Sequence, residues 1–419
     1  MLKGLKNKKN KGKVFVAMSG GVDSSVAALL LKKQGYDIIG VFMRCYNLDG
    51  CSERDAEDAR RVAEKLKIPF YVWDFENAYK KKVVEYMVKG YKKGITPNPD
   101  VMCNREIKFG LFLDKAFKMG ADYVATGHYV KISSKTGYKF SPAENFSLDS
   151  RSDGHRKAMD QAHRSSETFS RKHSEKKLIY KIFQAKDKNK DQSYFLWTLT
   201  REQLKHCLFP IGDYLKSEIR KIAKKASLST AEKKDSQGIC FLGKISLDDF
   251  LKKYIPEKKG DILLIIFKDN DTYCDRKKCH QIKYKKIGEH KGAHFYTIGQ
   301  RHGLGIGGSK KPYYVVEKNV KKNIVMVAEG DDNPELYKKE INLVDVNLID
   351  SIDFRFVKNG VGILARVRYR QPLASAKFYK LNAKSYKIIF DKPQKFIAPG
   401  QSAVFYNKNG EMLGGGVIV

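Results

Sequence analysis

The first part of the chain alternates short apolar runs with longer amphipathic stretches. Val14 to Met18, Asp37 to Phe42, Phe70 to Trp73 and Tyr123 to Thr126 have the length and composition of buried strands. Between them, stretches from Asp23 to a stop at Gly35, from Glu53 to Lys67, from about Ala78 to Lys92 and from about Asn104 to Met119 carry apolar residues at helical spacing. Ser52-x-x-Asp55 predicts a capping box for the second helix. This rhythm predicts an α/β domain with a doubly wound parallel sheet, whose ligands gather at the carboxyl ends of the strands. Ser19 to Ser25 and Gly127-His128 both fall at that edge.

From Ser133 to Lys177 the pattern breaks into Ser, Arg, Lys, Asp and His with little apolar periodicity, which reads as a disordered or poorly ordered insertion. Order resumes at Leu178, with short helices expected near Arg201 to Cys207 and Tyr214 to Ala226. Beyond Ile255-Pro256 the pattern changes again, to short strands with turn signals: Ile262 to Phe267, Phe295 to Ile298, Tyr313 to Glu317 and Ile324 to Ala328. Asn333-Pro334 reads as a linker, and further strands follow to the end. The expected organisation is a basic tail over 1–13, an α/β catalytic domain over 14–246 that contains the insertion, a small β-rich domain over 247–332 and a β-barrel over 338–419.

Composition changes this picture in three ways. A chain of 419 residues, 42% of them hydrophobic, can bury more than one core. Lys and Arg number 81 against 47 Asp and Glu, and the resulting charge of +34 points to an anionic partner, nucleic acid first. An AT-rich genome would also raise the lysine count. Seven cysteines thinly spread over the chain do not make a secreted disulfide framework, and neither a membrane-length apolar run nor a signal-peptide core is present, so the expected compartment is the cytoplasm.

Ser19-Gly20-Gly21-Val22-Asp23-Ser24-Ser25 sits between a strand and a helix, where paired glycines let backbone approach a ligand and the N–H groups of a helix start attract an anion. The commoner phosphate loop needs a Lys after its second Gly; here Val22 follows Gly21, so no lysine of that motif reaches a γ-phosphate. S-G-G-x-D-S resembles instead the loop of ATP pyrophosphatases, which cleave ATP between the α- and β-phosphates and adenylate an oxygen. A second constellation is Pro97-Asn98-Pro99-Asp100-Val101-Met102-Cys103, a carboxylate three residues before a thiol near an expected helix start, where a thiolate is favoured. Cys240 follows another polar, glycine-containing turn. Arg366, Arg368 and Arg370 alternate, so on a strand they share one face suited to phosphates.

In order along the chain, SGGVDSS, PNPDVMCNREIKF, ATGHY, KDQSYFL, DSQGICFLG, HFYTIGQRHGLGIGG and PGQSAVFY resemble the motifs of bacterial tRNA-specific 2-thiouridylases. The resemblance implies ATP-dependent thiolation of the wobble uridine in tRNAs for Gln, Lys and Glu, with the base flipped into the pocket. It implies that Ala17, Met18, Ser19, Gly20, Gly21, Val22, Asp23, Ser24, Met43 and Gly127 hold ATP, with Mg²⁺ on its phosphates, and that Asn98, Pro99 and Asp100 meet the target base. Cys240 would carry sulfur as a persulfide and Cys103 would act as nucleophile, closing a Cys103–Cys240 disulfide. His128, Lys190, Asp191, Gln192, Arg368, Tyr369 and Gln401 match positions that touch tRNA. The implied sulfur donor is a sulfur-relay protein or a cysteine desulfurase, and the expected state is a monomer that binds one tRNA.

Ala17 stands where the family usually has Gly, and its acidic stretch after the second strand is reduced here to Asp49. Cys45 and Cys51 read as incidental thiols. Cys274-x4-Cys279-x10-His290-x3-His294 has near zinc-finger spacing, but no metal is assigned to it. An iron–sulfur cluster on Asp100, Cys103 and Cys240 is the alternative carrier of sulfur. The rival functions are another adenylating enzyme, of the tRNA lysidine synthetase or small-molecule amidotransferase type, and an RNA-binding protein without catalysis.

Overall fold

Lys13–Ala17 is the middle strand of a five-stranded sheet in the computed structural model, which describes residues 11–46, 50–138, 176–235, 245–267, 282–308, 310–349 and 360–419. The strand order is Phe70–Asp74, Asp37–Arg44, Lys13–Ala17, Tyr123–Ala125 and Cys207–Leu208, all parallel. Alternate side chains of the middle strand enter opposite cores: Phe15 and Ala17 on one face, Val14 and Val16 on the other. Chain direction across the sheet reverses between Lys13–Ala17 and Tyr123–Ala125, the position at which such sheets open a ligand crevice. The connections after these two strands contain Ser19–Ser25, which runs from a turn into the helix Val22–Gln34, and Gly127-His128.

Two helix starts differ from expectation. Cys51–Leu66 begins before Ser52, with Gly50 at its N-cap in a left-handed conformation (φ 67°) and no side-chain cap. Asp55 is engaged elsewhere, by Lys233 at 2.7 Å. The helix predicted from Asn104 begins at Pro99 and continues through Asn104–Leu111, which has π-helical pitch, into Phe112–Lys118. Asn98 Oδ1 accepts Val101 N–H at 3.2 Å, and Pro99 occupies a first-turn position where its missing N–H costs nothing. Cys103 therefore lies beyond the first turn, where the pull of the helix dipole on a thiolate has largely faded.

Val130–Tyr138 and Lys176–Gln184 pair as an antiparallel hairpin, so the first residues expected in the disordered insertion are strand, and 139–175 lie outside the described residues. A second sheet runs Tyr313–Asn319, Ile324–Glu329, Gly260–Phe267 and Ile282–His290. Phe295–Ile298, predicted as a strand, is none: Phe295 ends a 3-10 turn over Ala293–Phe295, and Tyr296 to Ile298 lead on to Gly299 (φ 82°). The chain closes with a six-stranded barrel in the order Tyr337–Leu348, Tyr386–Lys395, Ala374–Lys380, Val361–Arg366, Ser402–Tyr406 and Met412–Ile418, the last pairing with the first.

Arg366 corrects the arginine stripe. The strand ends at that residue, and Arg370 adopts φ 64°, so the three arginines share no strand face. Arg366 is 4% exposed and bonds Asp191, Ser193 Oγ (3.1 Å) and Tyr406 OH (2.7 Å). Tyr194 OH donates to Ser402 O (2.9 Å) and Trp197 Nε1 to Ser402 Oγ (3.0 Å), completing a buried polar seam between the α/β unit and the barrel.

Candidate active site at the switch point

The glycine loop is built by local contacts. Ser24 Oγ accepts Ser19 N–H at 3.1 Å and donates to Gly21 O at 3.2 Å, while Ser25 Oγ donates to the same carbonyl at 2.8 Å. Gly20 has φ 72°, and a Cβ there would stand 2.2 Å from Asp55 O. Gly127 is held as closely, since its Cβ would lie 2.6 Å from Ser24 N. Met18 N–H donates to Val41 O at 2.8 Å, so the strand pairing extends up to the loop.

Around Asp23 is a charged cluster. Lys216 Nζ lies 2.8 Å from both Asp23 oxygens and 2.8 Å from Asp235 Oδ1, and Asp235 also takes Lys190 (2.7 Å) and Arg220 (2.9 Å). Burial would raise the Asp235 carboxyl, but the hydrogen bonds from Lys190 and Lys216 override it and hold the group down at about 2. Tyr129 OH donates to Asp23 at 2.7 Å; burial first, then Asp23, push that hydroxyl far up, so it keeps its proton. Lys216, Arg220, Lys233 and Asp58 carried no sequence motif, and Asp55 carried only the capping-box one. Lys216 did carry a signal, because a lysine at the first position of a helix opposes the dipole unless an anion compensates it.

The thiol helix meets this cluster through His128. Its ring packs on Phe109 (6.1 Å between centroids), while Gly127 next to it rests on Ser24. Burial lowers the His128 pKa well below its ordinary value and Lys108 lowers it further; Thr126 Oγ1 is 2.7 Å from Nδ1. Burial raises the Asp100 carboxyl, with Lys108 opposing. Cys103 is buried.

Asn98, Pro99 and Asp100 are set by a junction of all three parts of the fold. Gln401 Nε2 donates to Thr96 O (2.9 Å) and Pro97 O (3.3 Å), Thr96 N–H donates to Pro399 O (2.8 Å), and Thr96 Oγ1 lies 3.4 Å from Thr297 Oγ1. Gly90 makes room for Pro97, whose Cγ would be 2.8 Å from a Cβ there. Arg368 donates to Phe396 O and Ile298 O, tying barrel to middle sheet.

Residues 12–244 match the family described as tRNA methyl transferase HUP domain, 248–329 its PRC-barrel domain, and 338–418 an aminomethyltransferase beta-barrel domain. The chain is 44% identical over 414 residues to the tRNA-specific 2-thiouridylase MnmA of Karelsulcia muelleri, covering 97% of this chain and 98% of that protein. With the same enzyme of Geobacillus thermodenitrificans it shares 42% identity over 413 residues, 97% of this chain and 94% of that one. The chain belongs to the tRNA-specific 2-thiouridylase family. A 4-thiouridine synthetase–RNA complex with bound ATP aligns over 58% of this chain and 50% of that chain at 13% identity, with a TM-score of 0.30, too loose a superposition to argue from.

Of the residues that the thiouridylase resemblance assigned to tRNA, Asp191 is 1% exposed and is consumed by Arg366, Ser193 and the Ala185 amide. Its structural place is a buried anchor. Gln192 Oε1 accepts Tyr129 N–H at 3.0 Å, linking that anchor to the Asp23 cluster. Tyr369 packs on Phe195 at 4.5 Å. Cys240, Cys274 and Cys279 lie outside the described residues, as does any Cys103–Cys240 pairing. Among the described residues no group of three or more His, Cys, Asp or Glu is placed to hold a metal, and no helix is long and apolar enough to cross a membrane. His290 Nδ1 accepts Gly292 N–H at 2.9 Å. A cavity of about 430 Å³ in the middle part of the chain is lined by residues that include Arg301, His302, Lys310 and Lys311 and no predicted site residue.

Proposed function

We propose that this protein thiolates C2 of the wobble uridine in tRNAs for Gln, Lys and Glu, using ATP and a cysteine persulfide. The observation that carries this reading is the adjacency of Gly127, packed on the phosphate loop, and His128, packed on the helix of Cys103. Two adjacent residues join an anion-seeking loop to a thiol-bearing helix. A sulfonium methyl donor carries no phosphates for such a loop, so the site favours adenylation over the methyl transfer in the family description.

The uridine O2 attacks the α-phosphate, the O–P bond forms, and the bond to the β-phosphate breaks with its electron pair leaving on pyrophosphate. Asp23 and the phosphates would hold Mg²⁺ once Lys216 gives up one of its two Asp23 oxygens; such an ion takes one or two carboxylates plus substrate oxygens and offsets phosphate charge. The terminal persulfide sulfur on Cys240 then displaces AMP from C2. Attack of the Cys103 thiolate on the Cys240 sulfur breaks the persulfide bond, leaving 2-thiouridine and a Cys103–Cys240 disulfide that a thiol reductant reopens. Cys240 is five residues beyond Asp235, which an extended chain spans in at most about 18 Å. Asp100 and Asn98 stand at the base-binding end of the thiol helix, and the donor is a sulfur-relay protein or cysteine desulfurase. The domain limits above, a monomeric state and a cytoplasmic site complete the proposal.

Nucleoside mass spectrometry tests it, on unmodified tRNA with ATP, Mg²⁺ and a persulfide-loaded donor. The expected result is 2-thiouridine that requires ATP and disappears in Cys103→Ser and in Cys240→Ser. ATP conversion to AMP without thiolated product would move the enzyme to another acceptor; product from either variant would refute the two-thiol scheme.

A further inference from the structure

The phosphate loop has no lysine of its own, yet one ammonium reaches it from 193 residues away. Lys216 has three N–H donors, and three carboxylate oxygens, two of Asp23 and one of Asp235, stand at 2.8 Å from its Nζ. Its side chain is only 13% exposed. Asp235 is shared by three cations, Lys216, Lys190 and Arg220, whereas Asp23 has Lys216 and the Tyr129 hydroxyl, and Asp187 accepts the Lys216 backbone N–H at 2.9 Å. Asp235 keeps two other cationic partners when Lys216 leaves it, which makes that contact the one most readily exchanged.

We propose that Lys216 is a phosphate-binding residue for the nucleoside triphosphate: it exchanges its contact with Asp235 for an oxygen of the β,γ-diphosphate and stabilises the departing pyrophosphate. This rests on the adenylation reading above. Breaking the α–β bond leaves its electron pair on pyrophosphate, and a cation already positioned there lowers the barrier. A phosphate loop of the commoner kind carries that lysine in its own motif; here the fold would supply it from the helix Lys216–Lys225.

Calorimetric binding of Mg²⁺-pyrophosphate to the full-length protein, with single-turnover AMP and 2-thiouridine formation, tests the assignment in Lys216→Met, Lys216→Arg and Asp235→Asn. Lys216→Met should weaken pyrophosphate binding about tenfold to hundredfold, the range for a lost charge-assisted hydrogen bond, and slow AMP formation. Lys216→Arg should recover most of the binding, and Asp235→Asn should bind pyrophosphate at least as tightly as the unaltered protein. Pyrophosphate affinity of Lys216→Met within about twofold of the original would overturn the proposal, because a lysine that only fastens the helix to the loop makes no phosphate contact. Should Lys216→Met fail to fold, weakened pyrophosphate binding in Asp235→Asn overturns it equally. Lysine-dependent pyrophosphate binding in a protein that forms no 2-thiouridine would sink the substrate reading and leave Lys216 in place.

Discussion

The glycine loop and the arginine run after Val361 both look like phosphate-binding stretches, and the structure treats them in opposite ways. In Ser19–Ser25 the hydrogen bonds that shape the loop join residues three to five positions apart, so the motif nearly contains its own geometry. Arg366 is bound by Asp191 and Ser193, 175 and 173 positions away, and is turned from solvent into a seam between two parts of the fold. Alternation locates a face only while the strand lasts, and this strand stops at Arg366. Short-range bonds make a motif readable, whereas a long-range partner can reassign a residue altogether.

The largest effect should come from Gly20→Ala. Its Cβ meets Asp55 O and its φ lies in the left-handed region, so the loop must move. ATP-dependent AMP formation should fall by more than about hundredfold, the scale of a misplaced reacting group; near-normal turnover would show that the loop is less locally determined than its bonds suggest.

Arg366→Met comes next. It leaves Asp191 buried without its cationic partner and should cost about 3–5 kcal/mol in denaturant unfolding. Adding Asp191→Leu should restore more than half of that loss, and a strictly additive pair would mean that the two do not form a coupled anchor.

Gln401→Ala removes two hydrogen bonds to the Thr96 and Pro97 carbonyls, worth about 1 kcal/mol each. It should reduce thiolation about tenfold while leaving the KM for ATP unchanged, a split expected where the turn at Thr96 and Pro97 is displaced and the glycine loop is not. An equal shift in both constants would place the junction nearer the nucleotide.

The smallest effect concerns Lys318, which burial brings down to about 8. It donates to Tyr296 O and lies over the Tyr91 ring, where the middle part of the chain meets the α/β unit. The unfolded chain binds this proton more readily than the folded one, so stability should rise as pH rises from about 8 toward the ordinary lysine range. Lys318→Met should flatten that rise in thermal melts recorded across the window.

By itself the amino-acid sequence determined the parallel α/β architecture, the β-rich remainder and the strand–glycine–helix turn at Ser19 to Ser25, because each rests on periodicity or on residues a few positions apart. Tertiary structure decided what distant residues do. Asn98, rather than the predicted start near Asn104, opens the thiol helix, and Asp55 serves Lys233 rather than a capping box. Asp191 anchors a barrel arginine, and Lys216 arrives at Asp23 from another helix. Charged side chains take the nearest compensating charge in space, and along this chain that charge can stand 193 residues away, as for Lys216 and Asp23.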